Sequence, residues 1–165
     1  MELKLNDLKG LARKTEPSTV KLFAKIKKKK PGNLDDLFFS LHEEVFEKTD
    51  CLECANCCKT TSPVFKDKDI ERLAKHFRIK PSQFTEKYLH LDEDHDYVLN
   101  TAPCPFLGTD NYCSIYDHRP TACREYPHTD RKKMHQILDL TLKNTAVCPA
   151  VFNIVEKLKL VINHQ

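Results

Sequence analysis

The run Cys51-Leu52-Glu53-Cys54-Ala55-Asn56-Cys57-Cys58 constrains this chain more than any other stretch, because it places four thiols within eight residues. Four more follow at Cys104, Cys113, Cys123 and Cys148, so every cysteine of the 165 residues lies between positions 51 and 148. Thiolates at such gaps repel one another unless a cation sits between them. Zinc or iron is the usual cation. All eight cysteines are therefore candidate metal ligands.

An even number of cysteines also suits a disulfide framework. Two observations argue against one. The opening residues, Met1-Glu-Leu-Lys-Leu-Asn-Asp-Leu-Lys-Gly10, are charged throughout and lack the apolar core of a secretory signal, and no apolar run reaches membrane-spanning length. The expectation is a cytoplasmic protein with no membrane partner, in a compartment where disulfides rarely persist. In addition, the neighbours Cys57 and Cys58 can bridge each other only through a distorted peptide.

With 40% apolar and 31% charged residues, a single domain of this length has a thin core, which a bound metal can reinforce. The net charge of +3 is too small to argue for a nucleic-acid partner. Two four-thiolate zinc sites would contribute about −4 and turn the folded chain mildly acidic. No partner can be named.

Periodicity predicts a mainly α fold with a small β-hairpin, a cysteine-cluster domain stabilised by metal. Residues 1–17 read as a poorly ordered leader ending at Glu16-Pro17. Residues 18–50 read as a helical pair packing on the core. Its first helix is capped by Ser18 and stopped by Pro31-Gly32; its second is capped by Asn33 and carries Leu34, Leu37, Phe38, Leu41 and Val45 on one face. The lysines at 27–30 read as a solvated helix end. Residues 51–165 read as the metal-binding domain with a C-terminal helix. Within it, helices are expected over 67–77, from Pro81 through Phe84, Tyr88 and Leu91, from Arg119-Pro120, through Met134–Leu142, and from Cys148-Pro149 onward. Tyr97–Leu99 reads as a strand, and 104–107 with 112–116 as the arms of a hairpin turning at Gly108–Asn111. Leu91–Asp96 reads as a polar turn, since it lacks the glycine and distal glutamate of a calcium loop.

The triplet Cys51-x-x-Cys54-x-x-Cys57 resembles the local spacing of a ferredoxin-type cluster loop; the fourth cysteine is not three residues on, but a distant Cys148-Pro149 keeps an iron–sulfur cluster open beside zinc. Because Cys57 and Cys58 are adjacent, dividing them between two centres is the easier geometry. One division pairs Cys58 with Cys104, Cys113 or Cys123. Lys59, Arg119 and Arg124 lie beside cysteines in sequence and are candidates to balance thiolate charge. His118 and His128 flank Cys123, but metal ligation competes with any nucleophilic role for that thiol.

The ordered set Cys51-x-x-Cys54-x-x-Cys57-Cys58, Pro103-Cys-Pro-Phe-Leu107, Cys113-Ser-Ile-Tyr-Asp-His-Arg119-Pro120 and Cys123-Arg-Glu-Tyr-Pro127 resembles the YkgJ-like cysteine-cluster family, over about residues 51–150. The resemblance implies chelation of zinc or iron by the cysteines. Many members carry glycine between the first cysteines, where this chain has Glu53 and Ala55. A related branch, the flagellin lysine N-methylases, looks to use an iron–sulfur cluster and S-adenosylmethionine, which makes a small redox or methyl-transfer enzyme an alternative. Those enzymes are longer, and this chain has no glycine-rich strand–turn–helix for that cofactor. A zinc-stapled module for binding protein or nucleic acid is a third reading.

Overall fold

The computed structural model describes residues 5–163, which are mainly helical with one two-stranded hairpin. The chain divides into two compact units. One holds the chain up to Cys51 and again from Pro127; the other holds Leu52–Tyr126.

In the first unit, helix α1 spans Leu5–Lys29. It begins well before Ser18, inside the stretch expected to be a leader; residues 1–4 of that stretch lie outside the described residues. The reason is a buried stripe that runs further back than the sequence suggests. Leu8, Ala12, Thr19, Leu22, Phe23 and Ile26 are all buried, and Leu8 and Ala12 pack with Phe152. Pro17 lies inside the helix and cannot donate the usual backbone bond, a defect of about 3 kcal/mol in an isolated helix. Packing outweighs it, because most helical stability in proteins comes from tertiary burial.

Helix α2 spans Leu34–Phe46 and buries Leu34, Phe38, Leu41 and Val45, four of the five residues on the expected face; Leu37 is partly buried against the same core. Asn33 makes no side-chain cap. Asp35, in the first turn, instead accepts hydrogen bonds from the backbone N–H groups of Lys133 at 2.7 Å and Met134 at 2.9 Å. The core continues through Met134 and Leu138 to Ala150, Val151, Ile154, Val155 and Leu158 of the C-terminal helix (Pro149–Asn163).

In the second unit, α3 (Cys51–Cys54) begins at the boundary and is followed by α4 (Asn56–Thr60), α5 (Asp67–Phe77) and α6 (Pro81–Tyr88). Pro81 starts α6 at a position where a missing N–H costs nothing, and Gln83 Oε1 accepts from the Lys80 N–H at 2.9 Å. The helix stops at Tyr88, so Leu91 lies on a strand and not on the helical face expected for it. Strands β1 (Leu89–Leu91) and β2 (Tyr97–Leu99) pair antiparallel, with His90 opposite Val98. Asp92 closes the acidic turn between them by accepting from the N–H groups of Asp94 and Asp96 at 3.0 and 2.9 Å.

The 104–116 segment folds back as expected but pairs through one bridge, Leu107 with Cys113, and forms no regular ladder. Pro105 supplies no N–H donor on that arm. Gly108 suits the turn: a Cβ there would meet Asp110 Oδ1 at 2.5 Å and disturb the hydrogen bond which that oxygen accepts from the Tyr112 N–H.

Phe84, Phe106 and Tyr88 form the aromatic centre of this unit, with ring centroids 5.0–6.4 Å apart. Phe84 is fully buried, and truncating such a ring to alanine costs about 3–5 kcal/mol. Phe106 and Ile115, both buried, follow Cys104 and Cys113 by two residues each. The core thus anchors both thiol-bearing arms. Among the described residues no helix is long and apolar enough to cross a membrane.

Candidate metal centre

Two short helical segments joined by Ala55 carry the cysteine run. Ala55 is buried and left-handed, with φ 45° and ψ 20°, a conformation that alanine adopts at a cost. It turns the chain between Cys54 and the helix bearing Cys57 and Cys58. Lys59 Nζ reaches back to the Cys54 carbonyl at 3.3 Å. Asn111 Nδ2 donates to the Leu52 carbonyl at 2.6 Å and ties the run to the 108–111 turn.

The Cys104 N–H donates to the Cys58 carbonyl at 2.8 Å, which sets the second thiol-bearing arm beside α4. Cys113 follows through its bridge to Leu107. Cys123 sits on α7 (Thr121–Glu125), a helix that buries no residue of its own. Four segments therefore deliver Cys58, Cys104, Cys113 and Cys123.

The charge of Cys58 is felt at each of the other three. Burial, aided by the charges of Cys58 and Cys113, pushes the Cys104 thiol up to about 11. Burial pushes Cys123 up to about 12, with Cys58, Cys104 and Cys113 adding to the rise. Cys113 is raised by burial and by Cys58. Cys58 is the exception. A hydrogen bond with the Cys57 thiol lowers it to about 7 against the cost of burial, and the charges of Arg119 and Lys59 assist.

Arg119 is the cation common to Cys58, Cys113 and Cys123. Its guanidinium carbon lies 3.5 Å from the Tyr116 ring centroid, and its Nε donates to the Tyr116 carbonyl at 2.8 Å. Arg124, the other candidate, is exposed and reaches Thr121 Oγ1 at 3.3 Å.

The donor chemistry fits the cations that the spacing suggests. Thiols from four segments suit zinc or iron, and four protein thiolates on one ion would fill the tetrahedron of a structural centre. The Sγ atoms of Cys57 and Cys58 lie 4.0 Å apart. That is close to the edge of about 3.8 Å in a tetrahedron with Zn–S near 2.3 Å, so adjacency alone does not force these two thiols onto different ions. Among the described residues, no three Cys, His, Asp or Glu side chains stand ready-made around one point.

A comparison with protein-family models matches residues 50–149 to the CxxCxxCC family, described as "Putative zinc- or iron-chelating domain". The chain belongs to this family. The match covers all eight cysteines, and it extends the expectation of zinc or iron chelation to this chain. No curated protein and no solved structure matches it.

Cys51 and Cys148 fall in the first unit of this family member, Cys148 half-buried against its core and Cys51 exposed at the end of its first stretch. Cys54 and Cys57 are half-buried in the second unit. What the sequence did not reveal is Asp69. It is 1% exposed, and its carboxylate joins α5 to the segment leading into Cys123. Its only sequence signal is an acid in a first helical turn, which describes many exposed residues equally well.

Proposed function

We propose that this protein chelates zinc or iron through thiolates of the cysteine cluster, and that Cys58, Cys104, Cys113 and Cys123 are the ligands of one ion. The supporting observation is that the charge of Cys58 is felt at Cys104, Cys113 and Cys123, and those of Cys104 and Cys113 at Cys123, although the four come from four segments. Arg119 offsets part of the negative charge that ligation by four thiolates would gather. Cys51, Cys54, Cys57 and Cys148 are further candidate ligands by spacing, and the ferredoxin-like triplet admits an iron–sulfur cluster there. The role is structural: an all-thiolate set leaves no open position for a substrate, and structural zinc supplies about 10–16 kcal/mol of apparent binding energy. A reducing compartment, the cytoplasm, suits such thiolates.

Anaerobic purification followed by elemental analysis, acid-labile sulfide and the visible spectrum tests this reading. Stoichiometric zinc without colour, or iron with sulfide and a brown chromophore, supports chelation and selects the metal. A metal-free protein that takes up neither ion and keeps its helicity and melting temperature contradicts it.

A further inference from the structure

Helix α7 poses a physical problem. It has five residues, buries none of them and has no side-chain cap, yet it carries Cys123. A helix this short does not hold itself together. Something outside it must fix its position.

Asp69 and Arg72, one turn apart on α5, supply that fixture. Asp69 Oδ1 accepts from the Thr121 N–H at 3.1 Å and from Thr121 Oγ1 at 3.1 Å. Its other oxygen accepts from the Lys66 N–H at 3.2 Å. Arg72 bonds Asp69 at 2.7 Å and donates from the same nitrogen to the Arg119 carbonyl at 2.8 Å. The pair thus grips the chain on both sides of buried Pro120. Upstream of the grip is Arg119, whose charge reaches three of the thiols; two residues downstream of Thr121 is Cys123.

A carboxylate desolvated this far is costly unless fully bonded, and here each oxygen is satisfied by named donors. One oxygen, Oδ2, serves α5 itself by capping its first turn at Lys66; the other, Oδ1, is aimed at Thr121. Burying a charge and directing it at the Thr121 N–H spends stability on the placement of one segment.

We propose that Asp69 is a positioning residue of the metal centre: with Arg72 it caps α7 from outside and sets where the Cys123 thiol and the Arg119 guanidinium stand. This rests on the reading of Cys123 as a ligand given above.

The test uses the full-length protein loaded with cobalt(II), whose sulfur charge-transfer bands report the number of bound thiolates. The parent and Cys123→Ser are compared first. If the parent shows no sulfur charge transfer, the chelation reading fails on its own, before any clamp variant is made. Given a parent signal, Asp69→Ala and the milder Thr121→Val are expected to lose intensity toward the Cys123→Ser level and to release metal to a chelator about 10–100-fold more readily. Asp69→Asn, which keeps an oxygen for Thr121, should recover part of the loss. Metal-free samples give an independent readout: the rate of Cys123 alkylation should rise in Asp69→Ala and Thr121→Val, while that of Cys104 should not. Should Asp69→Ala fail to fold, Thr121→Val carries the test. Variants with lower melting temperature but parent-like charge transfer, chelator resistance and Cys123 alkylation would overturn the proposal and make Asp69 a packing residue only.

Discussion

The backbone N–H of Cys104 donates to the carbonyl of Cys58 at 2.8 Å, and this bond uses neither thiol. The scaffold that sets the two cysteines side by side is therefore independent of the sulfurs it presents. Serine at either position keeps the backbone link and removes only the soft donor. Cys58→Ser and Cys104→Ser should each retain the aromatic core around Phe84 and weaken metal binding by more than about 100-fold, beyond the 10–100-fold of an outer-shell loss. Chelator competition measures the affinity, and near-ultraviolet circular dichroism reports the core. Parent-like affinity in both variants would remove them from the ligand set.

Arg119 and Arg124 flank Cys123, and the structure separates them. Arg119 lies over Tyr116 with its charge felt at Cys58, Cys113 and Cys123, whereas Arg124 reaches Thr121 and is exposed. Arg119→Ala should lose metal to a graded chelator about 10–100-fold more readily, and Arg124→Ala should track the parent. The reverse order would mean that the positive field comes from elsewhere.

The thiol shifts set a pH dependence. At pH 8 the metal-free protein carries Cys58, lowered to about 7, mainly as thiolate, while Cys104 at about 11, Cys123 at about 12 and the raised Cys113 stay protonated. Binding as thiolates must then release about three protons, and affinity should rise steeply with pH. Calorimetry in buffers of different ionisation enthalpy counts them; one proton or fewer would exclude these thiols as joint ligands. Stability of the metal-free protein moves both ways. For Cys58, lowered from 9.0, the contribution is present above pH 9 and is lost as pH falls through about 7. For Cys104 and Cys123, raised from 9.0, stability holds below pH 9 and is lost as pH rises toward 11 and 12.

Ala55 occupies a left-handed turn that glycine adopts without a Cβ penalty. Ala55→Gly should stabilise the metal-free protein by about 1 kcal/mol, less whatever the buried methyl contributes. Urea unfolding decides the sign. A destabilised variant would show that the methyl's packing outweighs the backbone cost.

Much of this was readable in the residues. The apolar stripe of α2, the strand at Tyr97–Leu99 and the spacing of the thiols follow from period and chemistry alone. The start of α1 did not, because Glu16-Pro17 looks like an end and Ser18 like a cap, whereas the helix runs through them with Thr19 buried and bonding the Thr15 carbonyl at 3.0 Å. Leu89–Leu91 continued a helical pattern, and only the Asp92 turn shows that it pairs with Tyr97–Leu99. Asp69 was invisible for a different reason. Its partner Thr121 is 52 residues away, and no local pattern encodes that contact.

The central claim concerns what surrounds the ion, and X-ray absorption at the zinc or iron edge of the anaerobically purified protein tests it most directly. The expected result is a first shell of sulfur alone, four atoms, at about 2.3 Å if the metal is zinc. In Cys123→Ser, one sulfur should be replaced by a lighter atom or the metal lost. A shell dominated by nitrogen or oxygen, or a sulfur shell unchanged when Cys58, Cys104, Cys113 and Cys123 are each replaced by serine, would contradict the account.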